Sequence, residues 1–321
     1  MTTDPLSDIL KLTKVRGVYS TGLRIRGNFA VRVDMHEGMK FNAVADGSCF
    51  LRTDDGKVYD LSPGDCFLLT KGLPFIVGND PNCWPLPADE VFANAPDGFA
   101  SLVTGDAPEV TFIGGKMTSD RSMSLLTAGL PPVLVLRHTD PAAEKVRWLL
   151  DRLKDEVSSR KPGSEAMSEQ IMHMIFIEMI RVFPREDLAS GWLAALSDRK
   201  IFKAIQAMHG NPGHKWRLDE LASLSGLSRS QFAARFAHVA GEAPLEYLTK
   251  WRMALARDAL VSRSGTIAQV AQGMGYGSEA AFGAAFKRVF GSPPRELTDL
   301  DRAAEGRVPS SGGFMKLPHS T

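Results

Sequence analysis

The sequence predicts an α+β protein with an N-terminal β-barrel, a helical linker and a C-terminal all-α domain containing two helix-turn-helix units. Three observations support this fold class. Short apolar alternations broken by turn residues run from Val18 to about Val135. After Pro141 the apolar residues recur at helical spacing. Near the C-terminus a five-residue pattern occurs twice at a constant offset. The predicted bounds are 1–138 for the barrel, 139–197 for the linker, 198–300 for the helical domain and 301–321 for a flexible tail.

Composition narrows the class of protein. A chain of 321 residues, 44% of them hydrophobic, is long enough for two domains with separate cores. Because no signal peptide and no apolar run of membrane-spanning length is present, we expect a cytoplasmic protein without membrane association. Cys49, Cys66 and Cys83 are odd in number and lack metal-ligand spacing, which favours core or strand positions over disulfides or a zinc site.

The strand signals lie in the first 138 residues. Phe29, Val31 and Val33 alternate with small or polar neighbours, which predicts a half-buried strand. Two Asp-Gly pairs, at 46–47 and 55–56, predict hairpins. Short antiparallel strands joined by such turns form a sandwich or a small barrel around one apolar interior. Gly78–Asp97 is rich in Pro, Asp and Asn and is predicted to be a loop over one mouth of the barrel.

Two helices are predicted in the linker. The first carries an apolar stripe that ends near Lys161 and consists of Val146, Leu149, Leu150 and Leu153. The second runs from Ser164 to Phe183, and Pro184 ends it. Its apolar surface consists of Ile171, Met174, Ile175, Met179 and Val182, with Met167 and Met172 beside them. This surface predicts the core of a helical hairpin, a homodimer interface in which flexible Met side chains fill gaps, or both.

The duplicated pattern lies between Leu221 and Leu297. Ser228, Phe232, Phe236, Gly241 and Pro244 recur as Ser278, Phe282, Phe286, Gly291 and Pro294, so the offset is 278 − 228 = 50 residues. Ser228 with Gln231 predicts a capping box, and Ser278 predicts a second N-cap. The phenylalanines of each pair are four residues apart and are predicted to face the core.

A long helix beginning at Pro244 joins the two copies. Its predicted buried stripe consists of Leu248, Trp251, Leu255 and Ala259. A rigid connection of this kind holds two recognition helices one duplex turn, about 34 Å, apart. The charge distribution agrees with a nucleic-acid partner: Arg199 to Leu300 contains 14 Lys and Arg against 8 Asp and Glu, 14 − 8 = +6, although the whole chain carries only +1.

The duplicated region resembles a known family. Trp251–Ala256, Ile267–Ala271, Gly275–Phe282 and Phe286–Pro293 resemble the signature of the AraC/XylS transcription regulators. The resemblance covers essentially the whole chain, most specifically Asp198 to about Leu297. It implies sequence-specific binding to double-stranded DNA, with RNA polymerase as a further possible partner.

The resemblance also implies which side chains reach DNA. Phosphate contacts are expected from Arg229, Arg235, Lys287 and Arg288. Base edges or thymine methyls are expected to be read by Ser230, Gln231, Glu279 and Ala280, with Ala233 on the same exposed face. Relatives usually have a base-reading arginine where this chain has Ala234 and Ala284. Each missing bidentate contact removes roughly 1–3 kcal/mol of discrimination, so DNA binding is a firmer expectation than sharp base selectivity.

The strand block resembles the cupin-type sensor domain of many AraC/XylS regulators. The matching residues are Phe41–Val44 with Gly47, Leu61–Asp65 and Leu73–Phe75. The resemblance implies a cupin-like barrel that binds a small-molecule effector. Asn42 and Phe75 stand where relatives often have metal-binding histidines, and His36 is the one histidine in the early strands. We therefore expect no metal, no cofactor and no cupin enzyme chemistry.

Four residues are candidates for effector binding, and three of them have a structural alternative. Arg32 either faces a pocket or lies on an outward strand surface, and His36 is either a pocket residue or a solvated turn histidine. Asn42 is a candidate because it stands where cupin relatives often have histidine, and Trp84 is either a lid or a residue packed on the barrel rim.

Three functions are consistent with the sequence. The leading hypothesis is a non-enzymatic DNA-binding transcription regulator whose cupin domain senses a small molecule. The second is a cupin-domain protein that acts through a protein partner and has weak DNA specificity. The third is a cupin enzyme with a DNA-binding tail, which the sparse histidines disfavour.

Overall fold

The computed structural model describes residues 4–13, 16–36, 38–93, 95, 99–118, 130–159, 161–182 and 190–296. They form two compact units. The N-terminal unit comprises the described parts of Ile9–Ser197 and Val239–Gly241, and the C-terminal unit those of Met1–Asp8, Asp198–His238 and Glu242–Thr321. The predicted tail at 301–321 lies outside the described residues. None of the helices in the described ranges is long and apolar enough to cross a membrane.

The N-terminal unit is built mainly of strands. In chain order they are β1 (Arg16–Arg26), β2 (Ala30–Val33), β3 (Met39–Asp46), β4 (Cys49–Thr53), β5 (Val58–Leu61), β6 (Cys66–Leu69), β7 (Phe75–Gly78), β8 (Leu86–Pro87), β9 (Phe99–Val103), β10 (Glu109–Thr118) and β11 (Val133–Leu136). One sheet has the order β11-β6-β3-β10-β1-β9 and the other β5-β4-β7-β2-β8. Most pairs are antiparallel, but β9 and β8 pair in parallel with β1 and β2.

An apolar core fills the interior between these sheets. Its members come from both sheets and include Ile25, Val31, Leu51, Phe67 and Phe112. The rings of Phe29 and Phe112 meet edge to face with centroids 6.3 Å apart. Alternate strand residues supply this core, because successive side chains point to opposite faces of a strand. The predicted burial of Phe29 and Val31 is confirmed.

Helices accompany the sheets. They are α1 (Pro5–Thr13), α2 (Ala88–Phe92), α3 (Glu144–Ser159), α4 (Ser164–Val182) and α5 (Trp192–Ser197). The helix α4 packs against α3 and against β1, so the six-stranded sheet is covered on its outer face. In α4, Ile171, Met172, Ile175 and Met179 are buried, whereas Met167 and Met174 are about half exposed. A helical-hairpin core therefore forms, and part of the predicted methionine surface stays outside it.

Two local predictions were wrong. Asp46-Gly47 does not form a hairpin, because β3 and β4 belong to different sheets and the turn carries the chain between them. Gly47 has φ +73°, and a Cβ there would collide with the Glu109 carbonyl oxygen. The segment Gly78–Asp97 is not a plain loop, since it contains β8 and α2. The other Asp-Gly pair does close the β4–β5 hairpin, with φ +82° at Gly56.

The C-terminal unit is helical. Its further helices are α6 (Arg199–Gly210), α7 (Leu218–Leu224), α8 (Arg229–Ala240), α9 (Pro244–Val261), α10 (Ile267–Gly273) and α11 (Glu279–Phe290). Helices α7 and α8 form one helix-turn-helix, and α10 and α11 form the second. The helix α9 joins them and begins at Pro244 as predicted.

The helix α9 is buried on more than the one predicted stripe. Leu248 and Trp251 are buried as predicted, but Leu255 and Ala259 are only half-buried. Tyr247 packs edge to face on Phe236 of the first unit, with centroids 5.7 Å apart. Further along, Met253, Ala256 and Leu260 join a core with Phe282 and Phe286 of the second unit. One helix thus supplies core residues to both helix-turn-helix units.

Candidate nucleic-acid interface and effector site

The start of each recognition helix is fixed by its N-cap. At α8, the Ser228 amide donates to Gln231 Oε1 at 3.2 Å, and the Gln231 amide donates to Ser228 Oγ at 3.3 Å. At α11, the Ala281 amide donates to Ser278 Oγ at 3.2 Å. These bonds satisfy amides that a helix N-terminus otherwise leaves without acceptors. The predicted capping box and second N-cap are confirmed.

The phenylalanine pairs fix which face of each helix is outward. Phe232, Phe236, Phe282 and Phe286 are all fully buried, as predicted. At 3.6 residues per turn, the opposite face of α8 consists of Ser230, Ala234, Ala237 and His238. The equivalent face of α11 consists of Ala280, Ala284, Lys287 and Arg288. All eight residues are exposed. Ala237 was not predicted on this surface, because a small apolar residue carries no periodic signal of exposure.

The remaining predicted DNA residues lie at the sides of these faces. Arg229, Gln231 and Glu279 are exposed in the first turns, and Ala233 is half-buried. Arg229 Nε lies 3.6 Å from Asp219 Oδ1, in an exposed and therefore weak ion pair. Ala281, which was also not predicted to lie on the DNA-binding surface, is exposed next to Ala280.

Arg235 already forms an ion pair within the helical domain. Its Nε donates to Asp198 Oδ2 at 2.7 Å, and the Asp198 side chain is only 8% exposed. The other oxygen of Asp198 caps α6 by accepting from the Lys200 and Ile201 amides at 3.0 and 3.2 Å. Burial alone would raise the pKa of Asp198, but these bonds and Arg235 together hold it below its ordinary value. Arg235 thus neutralises a nearly buried carboxylate within its own domain.

An aromatic stack supports the buried side of the first helix-turn-helix unit. The rings of His209 and Trp251 are parallel, with centroids 3.8 Å apart. The Tyr247 hydroxyl lies 2.8 Å from His209 Nε2, and Asp8 Oδ2 lies 3.4 Å from Nδ1. Burial lowers the pKa of His209 to about 3. A neutral imidazole then accepts at Nε2 from the Tyr247 hydroxyl.

In the N-terminal unit, two of the four predicted effector residues lie on the protein's outer surface. Arg32 Nε is 2.8 Å from Asp34 Oδ1, and both side chains are exposed. Trp84 is 89% exposed, so it does not pack on the barrel rim. The outward-surface alternative therefore describes Arg32.

The other two, His36 and Asn42, lie near the inner face of the six-stranded sheet. His36 Nδ1 lies 3.3 Å from the Asp34 carbonyl oxygen, and its ring meets Phe75 edge to face at 6.0 Å. Among the described residues, neither His36 Nε2 nor Asn42 Nδ2 has a hydrogen-bond partner, although both atoms are buried. The interpretation of His36 as a solvated turn histidine was wrong.

Two lysines complete this group, and neither was predicted from the sequence. Lys40 of β3 and Lys116 of β10 are directly paired across the sheet. Their side chains share the face of Val44 and Phe112, which pair further along the same strands and belong to the interior. Both lysines are half-buried. We refer to Lys40, Lys116, His36 and Asn42 as the basic cluster.

No set of side chains that could bind a metal ion comes together in the described parts of the chain. No group of three or more His, Cys, Asp or Glu side chains comes together there. Cys49 and Cys66 are buried strand residues, and burial raises the pKa of each thiol to about 12. Cys83 is half-buried, and all three thiols are free.

Comparison with known proteins gives the family. A model described as "Cupin" matches residues 4–183, and one described as "Helix-turn-helix domain" matches residues 221–299. A protein named putative AraC-like transcription regulator from Streptomyces lividans is 39% identical over 91% of this chain and 96% of its own length. The chain belongs to the AraC-like transcription regulators. A protein of the same name from Streptomyces antibioticus is also 39% identical, over 91% of this chain and 97% of its own length.

One solved structure is similar to part of the chain. A transcriptional regulator from Chromobacterium violaceum with an AraC-type DNA-binding domain is 27% identical, with a TM-score of 0.32, over 36% of this chain and 99% of its own. The predicted family is confirmed, as is the fold class of an N-terminal cupin followed by an AraC-type helical domain. In this AraC-like regulator the basic cluster lies in the region matched to a cupin, and α8 and α11 lie in the matched helix-turn-helix domain.

Proposed function

We propose that this AraC-like regulator binds double-stranded DNA through α8 and α11 and that its cupin region binds a small-molecule effector. The observation that carries the DNA proposal is the pair of equivalent helices, each exposing a face opposite a buried phenylalanine pair. A recognition helix requires such a face, because outward side chains at its N-terminal end contact base edges in the major groove.

The outward faces favour two kinds of contact. Lys287 and Arg288 are exposed on α11 and supply positive charge for phosphates. The equivalent positions of α8 are Ala237 and His238. Ala234 and Ala284 lie at the centre of each face, and a methyl group there fits the C5-methyl of thymine. Ser230 and Gln231 add hydrogen-bonding groups to α8, and Glu279 offers acceptors on α11.

A gel-shift titration tests DNA binding directly. The full chain is titrated against the promoter region of its own gene and a scrambled duplex of equal composition, at 50 to 200 mM salt. We expect steep weakening with salt and tighter binding to the promoter region. Failure to bind any duplex at the lowest salt would refute the proposal.

The thymine-methyl contact has its own test. Replacing thymine with deoxyuridine in the bound sites removes the methyl groups and leaves Watson–Crick pairing intact. We expect a several-fold loss of affinity for the promoter duplex and none for the scrambled duplex. In Ala234→Arg with Ala284→Arg, each arginine can reach guanine instead, and we expect a changed sequence preference. An unchanged preference would show that base reading lies with neighbouring residues.

A second candidate function follows from the same alanines. If methyl contacts give little discrimination, the protein acts through a protein partner and binds DNA with weak specificity. Equal affinity for promoter and scrambled duplexes would favour it. In either case we propose a regulatory rather than an enzymatic role in the cytoplasm, because the relatives are named transcription regulators.

Two protein contacts belong to the proposal as well. A transcription regulator can contact RNA polymerase, and the exposed Met167 and Met174 of α4 offer a surface for a homodimer. Sedimentation of the wild-type chain and of Met167→Glu with Met174→Glu tests the dimer. We expect the double variant to be monomeric, and an unchanged sedimentation coefficient would exclude this surface.

A further inference from the structure

The turn that leads into the first helix-turn-helix unit touches the turn inside the second. The first turn, at 212–214, precedes α7, and the second, at 274–277, joins α10 to α11. A Cβ at Gly213 would collide with the carbonyl oxygen of Gly273, the last residue of α10, and a Cβ at Gly275 would collide with the Gly213 carbonyl oxygen. The two backbones thus meet so closely that a side chain at either glycine would force them apart.

Arg252 of α9 interacts with both turns. On one side its Nε and Nη2 donate to the carbonyl oxygens of Pro212 and His214 at 2.6 and 2.7 Å. On the other side its Cζ lies 5.9 Å from the centroid of the Tyr276 ring, within the range of a cation–π interaction. A guanidinium group suits this position because its donors lie in a fixed planar arrangement. We refer to Gly213, Gly275 and Arg252 as the turn contact.

Each turn is also bonded to the helices of its own helix-turn-helix unit. In the second unit the Tyr276 ring meets the fully buried Phe282 of α11 edge to face, with centroids 5.6 Å apart. In the first unit the Arg217 amide donates to Glu220 Oε2 of α7 at 3.1 Å, and His214 Nε2 lies 3.3 Å from the same oxygen. A shift of one turn relative to the other would therefore shift α7 relative to α11.

A fixed orientation of the two recognition helices matters because DNA is helical. One base pair inserted between two sites moves the second site by about 3.4 Å along the duplex and rotates it by about 34 to 36°. A pair of recognition helices that is held rigidly cannot follow this rotation, so one helix loses its groove. Packing on α9 places each helix-turn-helix unit, and the turn contact beside α9 restricts the rotation of one unit about that helix.

We propose that the turn contact determines which spacing between two DNA sites the protein accepts. Gly213, Gly275 and Arg252 are positioning residues in this proposal: they set the relative orientation of α8 and α11, whose own side chains contact the DNA. The proposal rests on the proposed DNA-binding function and adds to it a selection for the distance and rotation between the two sites.

Gel shifts with altered site spacing test the proposal on the full chain. Footprinting of the promoter duplex first locates the two protected segments, and one or five base pairs are then inserted between them. We expect the one-pair insertion to weaken binding of the wild type about tenfold or more, and binding of Arg252→Ala less than about threefold. The five-pair insertion turns the second site to the opposite side of the duplex and should weaken both proteins about tenfold or more. Equal losses on the one-pair insertion would overturn the proposal. So would an Arg252→Ala protein that tolerates five pairs, because it would then bind through one helix-turn-helix unit only.

Two further variants separate positioning from stability. Gly275→Ala disturbs the same contact from the second turn and should also reduce the loss caused by the one-pair insertion. Lys250→Ala removes a cation of α9 that pairs with Glu242 at 2.7 Å, and it should keep the wild-type loss. If Arg252 and Gly275 only stabilised the domain, their variants would bind every duplex more weakly by the same factor, and this result would overturn the proposal. Either variant suffices if the other fails to fold.

A measurement without DNA distinguishes the turn contact from DNA binding itself. Spin labels at Ser230→Cys and Ala280→Cys, both exposed on the recognition helices, report the distance between α8 and α11, and Cys83→Ser removes a half-buried native thiol. We expect a narrow distance distribution that Arg252→Ala broadens and Lys250→Ala does not. Equal widths would overturn the turn contact even if the chain binds DNA. The expected broadening in a chain that binds no duplex would instead reject the DNA-binding function, and with it the selection of spacing.

Discussion

The two helix-turn-helix units share a framework and differ in what they expose. Each has a capped recognition helix, a buried phenylalanine pair and a glycine with positive φ in its turn, Gly226 in the first and Gly275 in the second. On the outward faces, Ala237 and His238 of the first unit correspond to Lys287 and Arg288 of the second. Packing against α9 restricts the buried side, whereas the residues of the outward side are exposed.

The largest expected effect tests whether the two frameworks are equivalent. Phe232→Ala and Phe282→Ala each remove a fully buried ring, and each should lower the free energy of unfolding of the helical domain by about 3–5 kcal/mol. Chemical denaturation of the two variants measures this. Ala281→Ser, at an exposed position of α11, serves as the control and should change the free energy by less than about 0.5 kcal/mol. Costs that differ by more than about 2 kcal/mol would show that one unit depends less on its core.

The turn glycines should separate the two units. Both have positive φ, but a Cβ at Gly226 meets nothing within 4 Å, whereas one at Gly275 would collide with the Gly213 carbonyl oxygen. We expect Gly226→Ala to cost about 1 kcal/mol and Gly275→Ala about 2–4 kcal/mol, because the second adds backbone displacement to conformational strain. Arg252 resists that displacement, because its guanidinium group holds the turn. Its Nε donates to the Pro212 carbonyl oxygen at 2.6 Å, and its Nη2 donates to the His214 carbonyl oxygen at 2.7 Å.

Thermal unfolding of the two glycine variants measures the difference. The Arg252→Lys variant provides a further check, because it should loosen the turn and reduce the excess cost of Gly275→Ala. Equal costs for the two glycines would mean that the turn containing Gly213 moves freely.

The first helix-turn-helix unit should be pH-sensitive. His209 stacks on Trp251 on the buried side of this helix-turn-helix unit. Burial lowers the pKa of His209 to about 3 from an ordinary value of about 6.5. Below pH 6.5 the unfolded chain takes up a proton that the folded chain does not. The free energy of unfolding should therefore fall by about 1.4 kcal/mol per pH unit, or about 2 kcal/mol between pH 7 and pH 5.

Urea unfolding at pH 7, 6 and 5 measures this slope. His209→Gln should be less stable at pH 7 and should lack the slope. His214→Gln replaces an exposed histidine of the same unit and should keep it. A wild-type stability that does not change over this range would contradict a neutral, buried His209.

The sequence predicted the helical domain better than the barrel. The caps at Ser228 and Ser278 and the phenylalanine pairs are local patterns, so their spacing determines their structure. The pairing of Lys40 with Lys116 joins distant parts of the chain and has no local pattern. Asp46-Gly47 indicated a turn correctly but not which sheet would receive the next strand. The bond from Arg235 to Asp198 likewise joins distant parts of the chain and is not visible in the sequence.

The smallest expected effect distinguishes charges that contact DNA from charges that hold the fold. Arg288→Ala should remove one phosphate contact, reduce the slope of log K against log salt by about 0.9 and cost no folding stability. Arg235→Ala should leave the slope unchanged and destabilise the domain by about 1–3 kcal/mol, because it leaves the buried Asp198 carboxylate without its cation. Gel shifts over a salt series, together with urea unfolding, measure both quantities. A reduced slope for Arg235→Ala would show that the arginine leaves Asp198 on binding, and that the first helix-turn-helix unit also contributes a phosphate contact.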